Sequence, residues 1–413
     1  MKNILYKKIT RALLAAAFIL LLFSPSVRGT NFIALHYPYF QKGMGYAAWS
    51  KDAMLNSASD TSLKMMAEAK IKCVSIVVTW YQDAYNSTGI TRTDRTPSDT
   101  SIRRAIRTAR QYGMYAMLKP HVDLIKEEGN TRSDIGFNSD EKWKAWFSNY
   151  LEFLAHYAVI AEEEGAEFFC IGTELAFAST KKDFWKNILI PKIRKTFHGQ
   201  LTYAANWDEY NKVEFWDELD YIGIDAYFPL SGKDNPTLEE IRSGWKPWLA
   251  EIEAFQRKTD KPVIFTEIGY CSSSAAARKP WEEAVSGESN PDLQANCYRA
   301  LFETFWDKPW FFGVYWWSWT PNPNSGGLSN RRFTPQNKPA LAYVTSWYSR
   351  MMGPKFAFNN RAFNAVPNIE LAARFDVQNQ KLAARNAGQA NNITFVGTMS
   401  GEKESLGNTL PSE

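Results

Sequence analysis

The run Cys-Val-Ser-Ile-Val-Val-Thr-Trp, residues 73–80, is apolar on both of the faces that a strand presents. A strand with one wet face would alternate polar and apolar residues. This one reads as a buried parallel strand with helices packed on its outer side. Working outward, similar runs are Gly43–Trp49, Tyr115–His121, Phe168–Glu174, Leu201–Trp207, Tyr221–Tyr227, Val263–Glu267 and Gly313–Trp319. Between them lie amphipathic helical patterns near Ser59–Lys70, Ser98–Tyr112, Ser139–Gly165, Lys182–Phe197, Thr237–Thr259, Asp292–Trp306 and Lys338–Met352. In the third of these, Trp143, Phe147, Tyr150, Leu151 and Leu154 recur at helical spacing and Gly165 ends the run. Eight β runs alternating with helices imply the α/β class, as a closed barrel or a doubly wound sheet. No glycine-rich phosphate loop follows the first run, which counts against a dinucleotide-binding sheet. The reading is a (β/α)8 TIM barrel over residues 30–353, a length such a barrel uses as one domain.

The two ends differ in character. Lys2, Lys7, Lys8 and Arg11 precede the apolar run Ala12–Phe23, and Ser24, Pro25 and Ser26 follow. That is the pattern of a secretory signal peptide over residues 1–29, too short for the ~20 residues of a membrane span. The expected destination is the periplasm or the exterior, with no stable membrane insertion once the signal is cleaved. Residues 354–413 are rich in Asn, Ala, Gln and Ser, and read as a low-complexity, mostly disordered tail with a short helix near Ile369–Arg374.

Loss of the leader changes the charge. The chain has 48 Lys+Arg against 44 Asp+Glu, a net +4. Residues 1–29 carry five basic side chains, the four above and Arg28, and no acidic ones, so 43 against 44 leaves −1. Capture of nucleic acid needs a basic footprint, which the mature chain lacks. Aromatic residues make up 15% of the chain, with 16 Trp, more than a barrel core of branched aliphatics needs; the surplus fits a surface on which flat rings stack, such as a sugar polymer. Cys73 and Cys170 lie inside apolar runs, and an oxidising compartment permits a bridge between Cys271 and Cys297. Neither the cysteines nor His36, His121, His156 and His198 have metal-ligand spacing, so no metal and no cofactor is expected.

In such barrels the chemistry sits at the C-terminal ends of the strands. The last residues of the β runs are Trp80, His121, Glu174, Trp207, Tyr227 and Glu267, with Trp317 inside the eighth. A carboxylate that closes a buried strand costs several kcal/mol unless it has a partner or a purpose. Two of them among aromatics suit glycoside cleavage, where one acid protonates the leaving oxygen and the other attacks or activates water. Lys119 and His121 share one side of the third run and can donate to hydroxyls. Tyr227 is placed to hydrogen-bond Glu267, and Asp225, two residues earlier, is a candidate interior partner. Within Tyr-Trp-Trp-Ser-Trp, alternation sets Trp317 and Trp319 on one side and Trp316 on the other, without saying which side faces in. Trp80, Trp207 and Trp281 are candidate walls of a groove.

Three segments carry a resemblance: Gly-Ala-Glu-Phe-Phe-Cys-Ile-Gly-Thr-Glu-Leu (165–175), Leu-Lys-Pro-His-Val-Asp (118–123), and Thr-Glu-Ile-Gly-Tyr (266–270) with the following Ala-Ala and Pro280-Trp281. Together they resemble glycoside hydrolase family 113, over most of residues 40–350. The resemblance implies a retaining glycosidase, chiefly an endo-β-1,4-mannanase, with Glu174 as acid/base after strand four and Glu267 as nucleophile after strand seven. It also implies carboxyl groups ~5–5.5 Å apart. The wider clan carries Asn before the acid/base, where it binds the sugar 2-hydroxyl; here Thr173 stands in that place, which leaves Asn206 as a candidate for the contact. The expected substrate is a β-linked polysaccharide or oligosaccharide. Another β-glycan, or transglycosylation, would use the same pair, and a carbohydrate-binding barrel without turnover is the alternative from a different class.

Overall fold

The computed structural model describes residues 40–282 and 287–351. The expected leader over 1–29 and tail over 354–413 lie outside the described residues. Eight strands close into one parallel barrel in sequence order, with the eighth pairing back on the first. They are β1 Gln41–Tyr46, β2 Cys73–Gln82, β3 Tyr115–Leu124, β4 Phe168–Thr173, β5 Gln200–Asn206, β6 Ile222–Asp225, β7 Val263–Ile268 and β8 Phe311–Trp319. The helices around them are α1 Ser57–Glu68, α2 Asp99–Gln111, α3 Asp140–Glu163, the short α4 Ala176–Ser179 and α5 Lys182–Phe184, α6 Ile190–Thr196, α7 Leu238–Thr259, α8 Pro291–Phe305 and α9 Pro339–Tyr348. None of these is long and apolar enough to cross a membrane.

Local chemistry sets the helix starts. The side chains of Asn56, Ser98, Ser139, Thr237 and Asn290 accept the N–H of the third helical residue of α1, α2, α3, α7 and α8. Each such cap contributes about 1 kcal/mol. The single helix expected over Lys182–Phe197 is instead divided, with a wider turn over Trp185–Leu189 between α5 and α6. Pro191, which has no N–H to donate, opens α6 and accounts for the break.

Two apolar layers hold the barrel. Between strands and helices lies the larger one, which includes Val74, Ile76, Phe169, Phe265, Trp245 and Trp316. Inside the barrel, Cys73, Met117, Phe168, Cys170, Tyr221, Ile264, Phe312 and Tyr315 fill the lower half. Within this plug Gln41 and Gln200 accept from the hydroxyls of Tyr315 and Tyr221, while the charged inward side chains Lys119, Asp225 and Glu267 gather nearer the C-terminal mouth. No disulfide joins Cys271 to Cys297: all four cysteines are buried thiols, Cys297 in the α8 core and Cys271 beside Tyr227 and Phe333.

Candidate active site

Strand β3 alternates regularly. Met117 faces the plug, so Lys119, His121 and Asp123 follow it up the inner wall. Strand β7 does not. Ile224 pairs with Phe265 and Asp225 with Glu267, so β7 carries one extra residue there. Simple alternation from the inward Ile264 would send Glu267 outward; the bulge turns it into the barrel, where Lys119 meets it. Strand β4 is bulged as well: Cys170 pairs with Thr202 and Thr173 with Ala204. Beyond it, Glu174 takes a left-handed backbone, φ 52°, an uncommon conformation for a side chain with a Cβ. Two bonds pin it there. Its N–H donates to the carbonyl of Ala204 at 2.8 Å, and its own carbonyl accepts from Ser133 Oγ at 3.0 Å.

At the base of the mouth, Lys119 Nζ donates to Glu267 Oε1 at 2.6 Å and lies 3.3 Å from both oxygens of Asp225. Thr266 Oγ1 donates to Asp225 Oδ1 at 2.7 Å, and Tyr227 donates its hydroxyl to Glu267 Oε2 at 3.1 Å. Burial alone would lower the Lys119 pKa, but the carboxylates of Asp225 and Glu267 outweigh it and raise it, so this ammonium stays charged. Burial raises Asp225 well above the ordinary carboxylate range, with Glu267 and Glu174 adding to the effect against Lys119. Burial likewise raises the Tyr227 phenol, and the carboxylates of Glu267, Asp225 and Glu174 add to it, so the hydroxyl keeps its proton and acts as a donor.

A second group surrounds Glu174. Arg132, on a single helical turn Arg132–Asp134 after β3, reaches Asp123 Oδ1 at 2.5 Å, His121 Nδ1 at 3.1 Å and Glu174 Oε2 at 3.6 Å. A guanidinium only donates, so His121 Nδ1 accepts and the ring proton sits on Nε2. Burial, with help from Arg132 and Lys119, holds the His121 pKa well below its ordinary value, and the ring is neutral. Its Nε2 is buried, 3.5 Å from Glu267 Oε1, and has no hydrogen-bond partner among the described residues. Glu174 itself is pushed up to about 7, first by burial and then by the charge of Glu267, against the opposing pull of Arg132. The two carboxylates therefore share one mouth in opposite environments. Glu267 receives an ammonium and a phenol, while Glu174 is 22% exposed and favours its proton.

Aromatic rings frame the pair. Trp317 lies parallel to His121 at 6.4 Å and packs near Tyr227, Cys271 and Phe333. Trp207 stacks on the exposed Trp281 at 5.5 Å. The alternation expected in β8 fails at its end. Met44 pairs with Trp316 and Tyr46 with Trp319, an extra residue on β8 that puts Trp317 at the mouth and Trp316 and Trp319 outside, against Tyr298 and Ser62. Trp80 also leaves the groove. It points outward from β2 onto α3, where its Nε1 donates to Tyr157 at 2.8 Å and Arg92 covers its ring. Asn206 stands at the end of β5, its Oδ1 accepting the N–H of Trp207 at 2.9 Å. Arg132 and Asp123, and the exposed Trp49 that meets Trp317 edge-on at 6.3 Å, were not singled out from the sequence as site residues. Among the described residues no group of three or more His, Cys, Asp or Glu is arranged to hold a metal ion.

Known proteins align with this picture. The model of Glycoside Hydrolase Family 113 matches residues 44–338. No curated protein matches the chain by sequence. Among solved structures, a family 113 β-1,4-mannanase in complex form is 28% identical with a TM-score of 0.69, covering 76% of this chain and 100% of its own. The family 113 β-mannanase AaManA from Alicyclobacillus acidocaldarius, in complex with ManMIm, is 26% identical with the same TM-score, over 75% of this chain and 97% of its own. A family 5 mannosidase from Rhizomucor miehei shares the fold alone, at 11% identity and a TM-score of 0.52 over 75% of this chain and 93% of its own. With the family model running from β1 to the start of α9, the chain belongs to glycoside hydrolase family 113 and is a glycoside hydrolase.

Proposed function

We propose that the chain is a retaining, endo-acting β-1,4-mannanase, exported by its leader and working on mannan or glucomannan. The observation that carries the mechanism is the opposed setting of the two carboxylates. Glu267 accepts from Lys119 and Tyr227, partners that suit an anion able to attack, while Glu174, pushed up to about 7, holds a proton to give. In the first step a Glu267 oxygen bonds to the anomeric carbon, the glycosidic C–O bond breaks, and the proton of Glu174 passes to the leaving oxygen. In the second, the Glu174 carboxylate takes a proton from water, the water oxygen bonds to the anomeric carbon, and the ester to Glu267 breaks. Neither step requires a cofactor.

The remaining residues would bind the sugar. Trp317 offers a flat face beside Glu267, and the unpartnered Nε2–H of His121 a buried donor for a hydroxyl. Trp207 and Trp281 extend the aromatic surface away from the pair, as a groove for a chain cut internally would need, and Asn206 lies next to them. Mannan is favoured because similar family 113 structures are of β-1,4-mannanases.

The test is incubation of the mature protein with β-1,4-mannan, glucomannan, cellulose and xylan, following reducing ends, with Glu267→Ala in parallel. Fastest cleavage of a mannan, absent from the variant, is expected. Cleavage of another polymer alone would overturn the substrate, and an active variant would overturn the nucleophile.

A further inference from the structure

Arg132 reaches Glu174 directly and the surroundings of Glu267 through His121. Its turn is held by a reciprocal cap: Thr131 N–H donates to Asp134 Oδ2 at 2.8 Å and Ser133 N–H to Thr131 Oγ1 at 3.2 Å. The same turn is tied to the acid by Ser133 Oγ on the Glu174 carbonyl. Asp123, from the top of β3, fixes the guanidinium through Nη2, which leaves Nη1 between His121 Nδ1 and Glu174 Oε2. A planar fork can hold three acceptors at fixed angles, which the single point charge of a lysine cannot.

Resting on the glycosidase reading above, we infer that Arg132 is a positioning residue that links the two halves of the site: its fork fixes the Nε2–H tautomer of His121 beside Glu267 and governs the ionisation of Glu174. The charged and titratable groups that face Glu174 are Arg132 from the loop after β3, Lys119 from β3, Glu267 from β7, Glu209 after β5, and Asp225 and Tyr227 from the end of β6. Of the two cations, Arg132 opposes the rise of Glu174 more strongly than Lys119 does. Without Arg132 the weaker pull of Lys119 alone opposes burial and the acidic neighbours of Glu174, and His121 loses the group that dictates which nitrogen carries its proton.

The experiment compares wild type, Arg132→Gln, Arg132→Lys and Glu267→Ala. kcat/KM for β-1,4-mannohexaose is followed against pH, and the Glu174 carboxyl is titrated by 13C NMR, assigned by its absence in Glu174→Gln. The glutamine variant should move both the basic limb and the carboxyl titration upward by about one pH unit or more, as loss of an opposite charge at this range does. The lysine variant, which keeps the charge, should move them less than half as far. Its kcat/KM should still fall, by about a hundredfold, because the fork is gone. If the glutamine variant leaves the carboxyl titration unchanged, or if both variants shift it equally, the inference is overturned, whatever happens to the rate. The NMR titration needs no substrate. Failure to cleave the hexasaccharide, or activity in Glu267→Ala, would therefore count against the glycosidase reading and leave the Arg132 inference to be judged by the carboxyl.

Discussion

Lys119 Nζ lies 2.6 Å from Oε1 of Glu267, with the lysine side chain wholly shielded from solvent. An ammonium so placed is tolerable only because two carboxylates, Glu267 and Asp225, surround it. The same arrangement gives both oxygens of Glu267 a donor, Lys119 on one and Tyr227 on the other, before any substrate arrives.

Replacement of Lys119 by Met should therefore harm stability and chemistry together. Two buried carboxylates would be left facing each other, a loss of about 3–5 kcal/mol for one partner of a buried ion pair. Thermal unfolding should fall accordingly, and kcat/KM by about a thousandfold or more, since the remaining folded protein must hold a proton between Glu267 and Asp225. Unfolding scans alongside initial rates check both.

Glu174 makes an opposite prediction. Its folded pKa, about 7, lies above the ordinary carboxylate value of 4.5. Relative to a neutral side chain, an upward-shifted carboxyl costs the fold nothing below about pH 4.5, and its ionisation opposes folding increasingly as pH rises to 7. Glu174→Gln should thus match wild type in stability at pH 4 and exceed it above pH 7, by up to about 3 kcal/mol, while losing glycan cleavage. Denaturant unfolding at the two pH values decides it; equal stability gaps at both would contradict the account.

Two tryptophans should separate cleanly. Trp317→Ala removes a ring at the mouth, and kcat/KM on the polymer should drop between about tenfold and a hundredfold with little change in unfolding temperature. Trp80→Ala removes a ring packed on Phe153 and Tyr157 outside the barrel, so it should lower stability by about 2–4 kcal/mol and leave the kinetics of the folded fraction alone. A kinetic defect in Trp80→Ala would mean the groove reaches further around β2 than its side chain does.

The alkaline side of the profile follows from the same geometry. With Glu174 as proton donor, kcat/KM should fall above about pH 7, and activated aryl glycosides, whose leaving groups need little protonation, should be far less sensitive to Glu174→Ala than the polymer is. Rates on both substrates across pH check this.

Much of this architecture is legible in the residues themselves. The buried parallel strands announce themselves as apolar runs, and the caps at Ser98, Ser139 and Thr237 mark where helices begin. On β3, strict alternation from Met117 carries Lys119 and His121 to the mouth together. What alternation misses is where the ladder slips. The extra residue on β7 aims Glu267 inward against its parity, and the one on β8 parts Trp317 from Trp319. A strand-end position says nothing of which face a side chain takes; the parity of Trp80 on β2, shared with Val74, Ile76 and Val78 and opposite to the inward Cys73, sends it outward. Arg132 sits in a loop with no periodicity. Its only sequence trace is the capping pattern Thr131 to Asp134, which marks a turn and not a site.

The central claim is that Glu267 is the nucleophile of a double displacement, and trapping tests it most directly. The mature protein is treated with a 2-deoxy-2-fluoro-β-mannosyl donor bearing an activated leaving group, then digested and mapped by mass spectrometry. The account predicts one fluoroglycosyl adduct, on the peptide containing Glu267 and absent from Glu267→Ala. An adduct on Glu174 or Asp225, or cleavage of mannohexaose with inverted anomeric configuration and no adduct, would contradict it.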